Sequence, residues 1–181
     1  KYYGLYRTEI SLDYYTVPGG SSLGIYVDQY YILVHPTEIE HAPPIYTIRE
    51  APNAPVGYTF AGWNTSPDGS GATCQPGDTF QPAEDLSLNP QKGYSLYALF
   101  TKPVTLTLYS GQAGQADTVS LTTSNLAEAA YPLPAPEAME GWTPVGWSKS
   151  PTGYDIDYPI GETVELDADL TLYGVYEKKV T

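Results

Sequence analysis

Between residues 104 and 109 the chain alternates strictly: Val104, Leu106 and Leu108 are apolar, and Thr105 and Thr107 are polar. That period of two is the mark of a strand with one buried face. The Gly-rich stretch 110–115 reads as a turn, and DTVSLTT at 117–123 reads as the returning strand. NLAEAA at 125–130 then breaks the alternation. Asn125 stands where a helix N-cap would stand, and Glu128 follows three residues on, so a short helix is expected there. Pro132, Pro134 and Pro136 limit it to two turns. Three more strands are expected: WTPVGWS at 142–148, 162–166, and 170–176, where Leu170, Leu172 and Gly174 alternate with Thr171, Tyr173 and Val175. The order β-β-α-β-β-β predicts a β-rich α+β roll close to a β-grasp.

The same pattern occurs earlier in the chain. GYTFAGWNTSPDGSG at 57–71 parallels GWTPVGWSKSPTG at 141–153, and YSLYALF at 94–100 parallels LTLYGVY at 170–176. KYYGLY at 1–6 repeats that strand, and ISLDYY at 10–15 repeats VTLTLY at 104–109. Tyr3 to Tyr97 spans 94 positions, as does Ile10 to Val104, and Tyr97 to Tyr173 spans 76, as does Val104 to Val180. The length difference falls in the connections, where insertions are tolerated. The reading is two tandem β-grasp-like units, 1–101 and 102–181, with residues 1–6 open to a second assignment as the last strand of a preceding unit. TKP at 101–103 is read as the short linker between them. In the first unit the counterpart helix is expected to start at Thr37 and end before Pro43.

Composition narrows the class. The chain has 181 residues, with 8 Lys and Arg against 21 Asp and Glu, a net charge of −13 shared almost equally by the two halves. Such a chain repels polyphosphate and anionic lipid, so nucleic-acid binding is not expected. No apolar run reaches the length of a membrane helix, so no direct membrane insertion is expected. Cys74 is the single cysteine, which excludes an internal disulfide and a Cys-based zinc cluster. The chain opens at Lys1 with no initiator Met and no visible signal peptide, and it reads as a piece of something longer.

The motifs resemble the Listeria–Bacteroides repeat, also called the internalin B-repeat. The resemblance rests on Gly-aromatic-x-x-x-Gly-Trp in both units and on the terminal LYALF and LYGVY strands. It covers about half of each unit. It implies β-grasp modules, arranged in tandem, in secreted or surface-exposed bacterial proteins, acting as stalks or accessory adhesion modules. It implies no catalytic residues.

Packing competes with chemistry at each candidate site. Gly62 and Trp63, with Gly146 and Trp147, recur in both units and read as repeat core, as do Tyr97 and Tyr173. Trp142, matched by Tyr58, also reads as packing. Tyr14, Tyr15, Tyr26, Tyr30 and Tyr31 form a Tyr-rich stretch; adjacent Tyr residues on a strand face opposite ways, so some should be exposed for a glycan or protein. His35, Glu38, Glu40 and His41 lie close together but are too few and too local to argue for zinc. Asp155 with Asp157, and Asp167 with Asp169, lack the EF-hand pattern. No nucleophile elbow or phosphate loop occurs. No cofactor, metal or enzymatic activity is expected. The expected role is a non-catalytic spacer or accessory adhesion module, extracellular, on a bacterial surface or secreted. The expected partners are neighbouring repeat units of a parent chain and a host or cell-surface protein or glycan. The alternative is a dedicated glycan- or host-protein-binding module using the Tyr residues of the first unit.

Overall fold

The computed structural model describes residues 6–16, 26–34, 45–81, 91–111 and 115–179. The chain divides into two compact units, Lys1–Phe100 and Thr101–Thr181. All regular structure among the described residues is β.

In unit one the strands are β1 (Tyr6–Tyr15), β2 (Tyr26–Val34), β3 (Tyr46–Thr47), β4 (Thr59–Asn64), β5 (Thr73–Cys74), β6 (Thr79–Phe80) and the first half of β7 (Gln91–Ser110). The sheet order is β2-β1-β7-β4-β5. β1 is antiparallel to β2 and parallel to β7, with Tyr15 level with Tyr97. A parallel neighbour requires a crossover. β3 and β6 lie within it and pair with each other as a small separate ribbon, Tyr46 opposite Phe80. The core lies between ribbon and sheet: Leu12, Tyr14, Tyr46, Ile48, Trp63, Leu96, Ala98 and Phe100.

Unit two repeats this plan. It uses the second half of β7, then β8 (Gln115–Ser124), β9 (Ala129–Pro132), β10 (Thr143–Ser148), β11 (Tyr158–Pro159), β12 (Thr163–Leu166) and β13 (Leu170–Glu177). The order is β8-β7-β13-β10-β11, with β7 and β13 parallel and the other neighbours antiparallel. β9 pairs with β12 as the separate ribbon. Its core is Val104, Leu106, Leu108, Ala129, Leu133, Trp147, Val164, Leu166 and Leu172.

The structure corrects three expectations. Among the described residues the fold is all-β rather than α+β, so the β-grasp-like assignment does not hold. The helix expected at 125–130 is absent: the chain bends over 125–127, and Ala129–Pro132 is strand β9. Its turn is closed by Ser124, one residue before the expected cap. The Ser124 hydroxyl accepts from the Ala127 amide at 2.9 Å and donates to the Ala127 carbonyl, also at 2.9 Å. A helix of six residues ahead of Pro132 has few hydrogen bonds to set against its nucleation cost. The β9–β12 ladder instead pairs four residues and buries Ala129. The helix expected from Thr37 lies outside the described residues. Residues 101–103, read as a linker, belong to β7.

Candidate functional site

The Gly-Trp strands organise each unit. In unit one the Trp63 indole is 1% exposed, and its N–H donates to the Arg49 carbonyl at 3.1 Å. In unit two Trp147 is equally buried and donates to the Pro134 carbonyl at 2.8 Å. Both acceptors come directly after the residue that locks the ribbon turn. The Ile48 amide donates to Asp78 O and its carbonyl accepts from Gly77 N; Leu133 does the same with Glu162 O and Gly161 N. Gly77 and Gly161 have φ of 84° and 81°, the left-handed region that glycine enters without cost to a side chain. The indole thus ties the sheet to the ribbon at equivalent places.

The preceding glycines are set by contact. A side chain on Gly62 would strike the Thr73 methyl group and reach the Cys74 carbonyl at 3.0 Å. One on Gly146 would strike Ile156 and meet the Tyr158 carbonyl at 2.8 Å. The neighbouring strand therefore passes too close for a Cβ in either unit.

Past the Trp the units diverge. In unit one the buried Asn64 amide donates to the carbonyls of Gly69 and Gly71 and to the Thr73 hydroxyl. Its oxygen accepts from the Ser66 and Gly71 amides. Asp68, exposed at the loop tip, accepts from the Ser66 hydroxyl and from the Ser70 amide and hydroxyl. These bonds, led by the Ser66 hydroxyl, lower its pKa from 3.8 to about 2. In unit two Ser148 stands in Asn64's place, and Asp157 accepts from the Lys149 amide at 2.6 Å and the Ser148 hydroxyl at 3.3 Å. Asp169 accepts from the Thr105 amide at 2.7 Å. These carboxylates hold loops.

The tyrosines fall into separate settings. Tyr14 is 0% exposed and meets Trp63 edge-on at 4.9 Å, so it belongs to the core and offers no binding surface. Tyr15 is half-buried and stacks on Tyr97 at 5.2 Å with 19° between ring planes. Tyr26, Tyr30 and Tyr31 lie on β2, opposite Tyr14, Ile10 and Glu9 in the register. Tyr97 and Tyr173 alternate with buried Leu96, Ala98 and Leu172, so they face away from the core. Tyr173 stacks on Tyr109 at 5.3 Å and 11°. Composition alone does not single out these cross-strand stacks; the matched spacing of the Tyr positions is the signal that points to them.

Trp142, expected to pack, is 43% exposed, and the Lys178 ammonium lies 5.6 Å from its ring centre. Tyr58, its counterpart, packs against the first core.

An open groove of about 620 Å³ runs along residues 47–52, with Trp63 and Gly77 also lining it. Cys74 is half-buried beside Trp63, and burial, with Asp78 second, pushes its thiol pKa up, so it is a poor nucleophile. Among the described residues no three His, Cys, Asp or Glu converge as metal ligands. His35, Glu38, Glu40 and His41 lie outside the described residues.

A "Putative Gly-rich membrane protein" of Evansella cellulosilytica is 28% identical over 128 residues, which is 69% of this chain and 14% of that protein. Among described residues no helix is long and apolar enough to cross a membrane. The crystal structure of Mub-RV is 16% identical, with 96% of this chain and all of that one covered, at a TM-score of 0.27. The type 2 repeat of the mucus binding protein MUB from Lactobacillus reuteri is 13% identical, with 95% and all covered, at a TM-score of 0.25. Residues 43–89 match the family model of the Listeria-Bacteroides repeat domain, a span that contains the Gly62–Trp63 strand and its flanking ribbon.

Proposed function

We propose that the chain is a non-catalytic repeat module of a bacterial surface or secreted protein, serving as a spacer with an accessory role in adhesion. One observation carries this reading. The elements that recur between units are structural: the sheet order, the Gly-Trp strand, the indole-to-ribbon hydrogen bond, the glycine turn and the Tyr–Tyr stack. Neither His35 nor His41 has a counterpart in unit two. A spacer must resist load as separate folded units, and each unit has its own core. The matched relative's name, a Gly-rich membrane protein, supports a cell-surface setting. Stretching single molecules of the full chain tests the reading. Two unfolding events are expected, with contour lengths in proportion to the two units. Extension without discrete events would sink it.

A second reading, recognition of a glycan or host protein through unit one, is supported by the β1–β2 register, which sets Tyr31 level with Glu9, a position that alternates with the buried Leu12 and Tyr14. A glycan and matrix-protein array probed with the full chain and with a Tyr30→Ser, Tyr31→Ser variant tests it. Signals unchanged by the variant would remove those residues from the account.

A further inference from the structure

We infer that the solvent face of the unit-two sheet is a binding face for neutral polysaccharide, built from two rows of side chains. Val104, Leu106, Leu108 and Leu172 are buried, so their neighbours in sequence point to the opposite side. The register lines these up across three strands. One row is Tyr173, Tyr109 and Ala116, and the next is Thr171, Thr107 and Thr118.

The first row makes an aromatic wall. One face of the Tyr109 ring is covered by Tyr173. Its neighbour on the other side is the methyl group of Ala116, too short to cover the second face, and Tyr109 stays 36% exposed. An aromatic face of this kind takes the C–H face of a pyranose ring. The second row supplies three hydroxyls, each both donor and acceptor, as sugar hydroxyls are. Strand spacing sets them about 4.8 Å apart, close to the width of one sugar ring.

Charge selects the ligand class. Neither row holds an Asp, Glu, Lys, Arg or His, while the whole chain carries −13. An anionic glycan would meet repulsion with no local cation to offset it, and a neutral one meets none. The equivalent face of unit one keeps the stack as Tyr15 and Tyr97 but puts Asp13 level with Ser95 where unit two has Thr107 level with Thr171. The uncharged arrangement therefore belongs to unit two. This inference goes beyond the spacer reading and needs only a folded second unit.

Native electrophoresis of the full chain through gels containing neutral polysaccharides (galactomannan, mixed-linkage β-glucan, starch) or anionic ones (hyaluronan, alginate) tests it. Retardation by at least one neutral polymer and by neither anionic one is expected. Ala116→Ile covers the open ring face on an exposed strand position and is expected to weaken binding about tenfold or more, and Thr118→Val several-fold. Silence across the neutral panel, equal retardation by the anionic polymers, or unchanged retardation of Ala116→Ile would each overturn the inference. Loss of the two unfolding events under load would instead sink the spacer reading, so the two fail separately.

Discussion

The two units close the same loop with different chemistry. In unit one a single buried amide, Asn64, takes five hydrogen bonds from and to the loop after it. In unit two the job is divided: Ser148 is hydroxyl-sized, and Asp157 reaches back from beside the next strand to the Lys149 amide. The geometry that depends on shape stays constant. The indole fills the core in both, and the glycine before it lets the neighbouring strand approach. Polar closure can be rebuilt from several side chains because any donor–acceptor set at the right distance will serve. A buried volume the size of indole has no such substitutes, which is why Trp63 and Trp147 match while the residues after them do not.

The likeness between units is most open to attack at those two tryptophans. Trp63→Ala and Trp147→Ala are each expected to cost about 3–5 kcal/mol, from lost burial and the cavity left behind. Calorimetry of the full chain should show the loss confined to one unit in each case. Equal loss from both units would show that they do not melt separately. The glycines come next. Gly62→Ala combines a clash with a φ of 139°, and about 3 kcal/mol is expected; at Gly146 the clash acts alone, and about 2 kcal/mol is expected. Denaturant midpoints measure the order, and a larger loss at Gly146 would reverse the role given to the backbone.

Asn64→Ala leaves buried amides and carbonyls unpaired and is expected to cost about 2 kcal/mol; Ser148→Ala removes a smaller share and about 1 kcal/mol is expected. Amide exchange should speed up over 66–71 in the first variant and over 149–153 in the second. The smallest effect is at Asp68. Its folded pKa is depressed, so its bonds to Ser66 and Ser70 are fully present above the ordinary value of 3.8 and fade as pH falls through about 2. An NMR titration of the Ser70 amide should have its midpoint near that lower value, and Asp68→Asn should abolish the titration. A midpoint at the ordinary carboxylate value would dissolve the clasp.

Much of the strand framework is legible in the sequence because burial imposes a period of two. Residues 117–123, 142–148, 162–166 and 170–176, read as strands, fall in or nearly coincide with β8, β10, β12 and β13. The reading fails where short-range and long-range preferences conflict. Asn125 and Glu128 carry a helix-start pattern, yet the segment has too few residues before Pro132 to gain from it, and its edge pairs with β12 instead. The ribbon of unit one is hidden for a related reason. IYTIRE at 45–50 and AYPLPA at 130–135 share only a tyrosine, so it is the equivalent bonds of Ile48 and Leu133 that reveal them as the same element. Trp142 shows the reverse case: an aromatic matched in the repeat, yet exposed, because matching in sequence carries position but not depth.

The duplication, the strand periodicity, the acidic charge and the Gly-Trp signature are all written in residue type and spacing, so the linear chain suffices to read them. Four features come from the folded arrangement alone. These are the parallel pairing of β1 and β13 with β7, the strand at 129–132, the burial of Tyr14 against the exposure of Tyr109, and the alignment of three threonines in one row. Each depends on register between segments far apart in the chain. Local sequence limits that register, but the joint burial of both partners selects it.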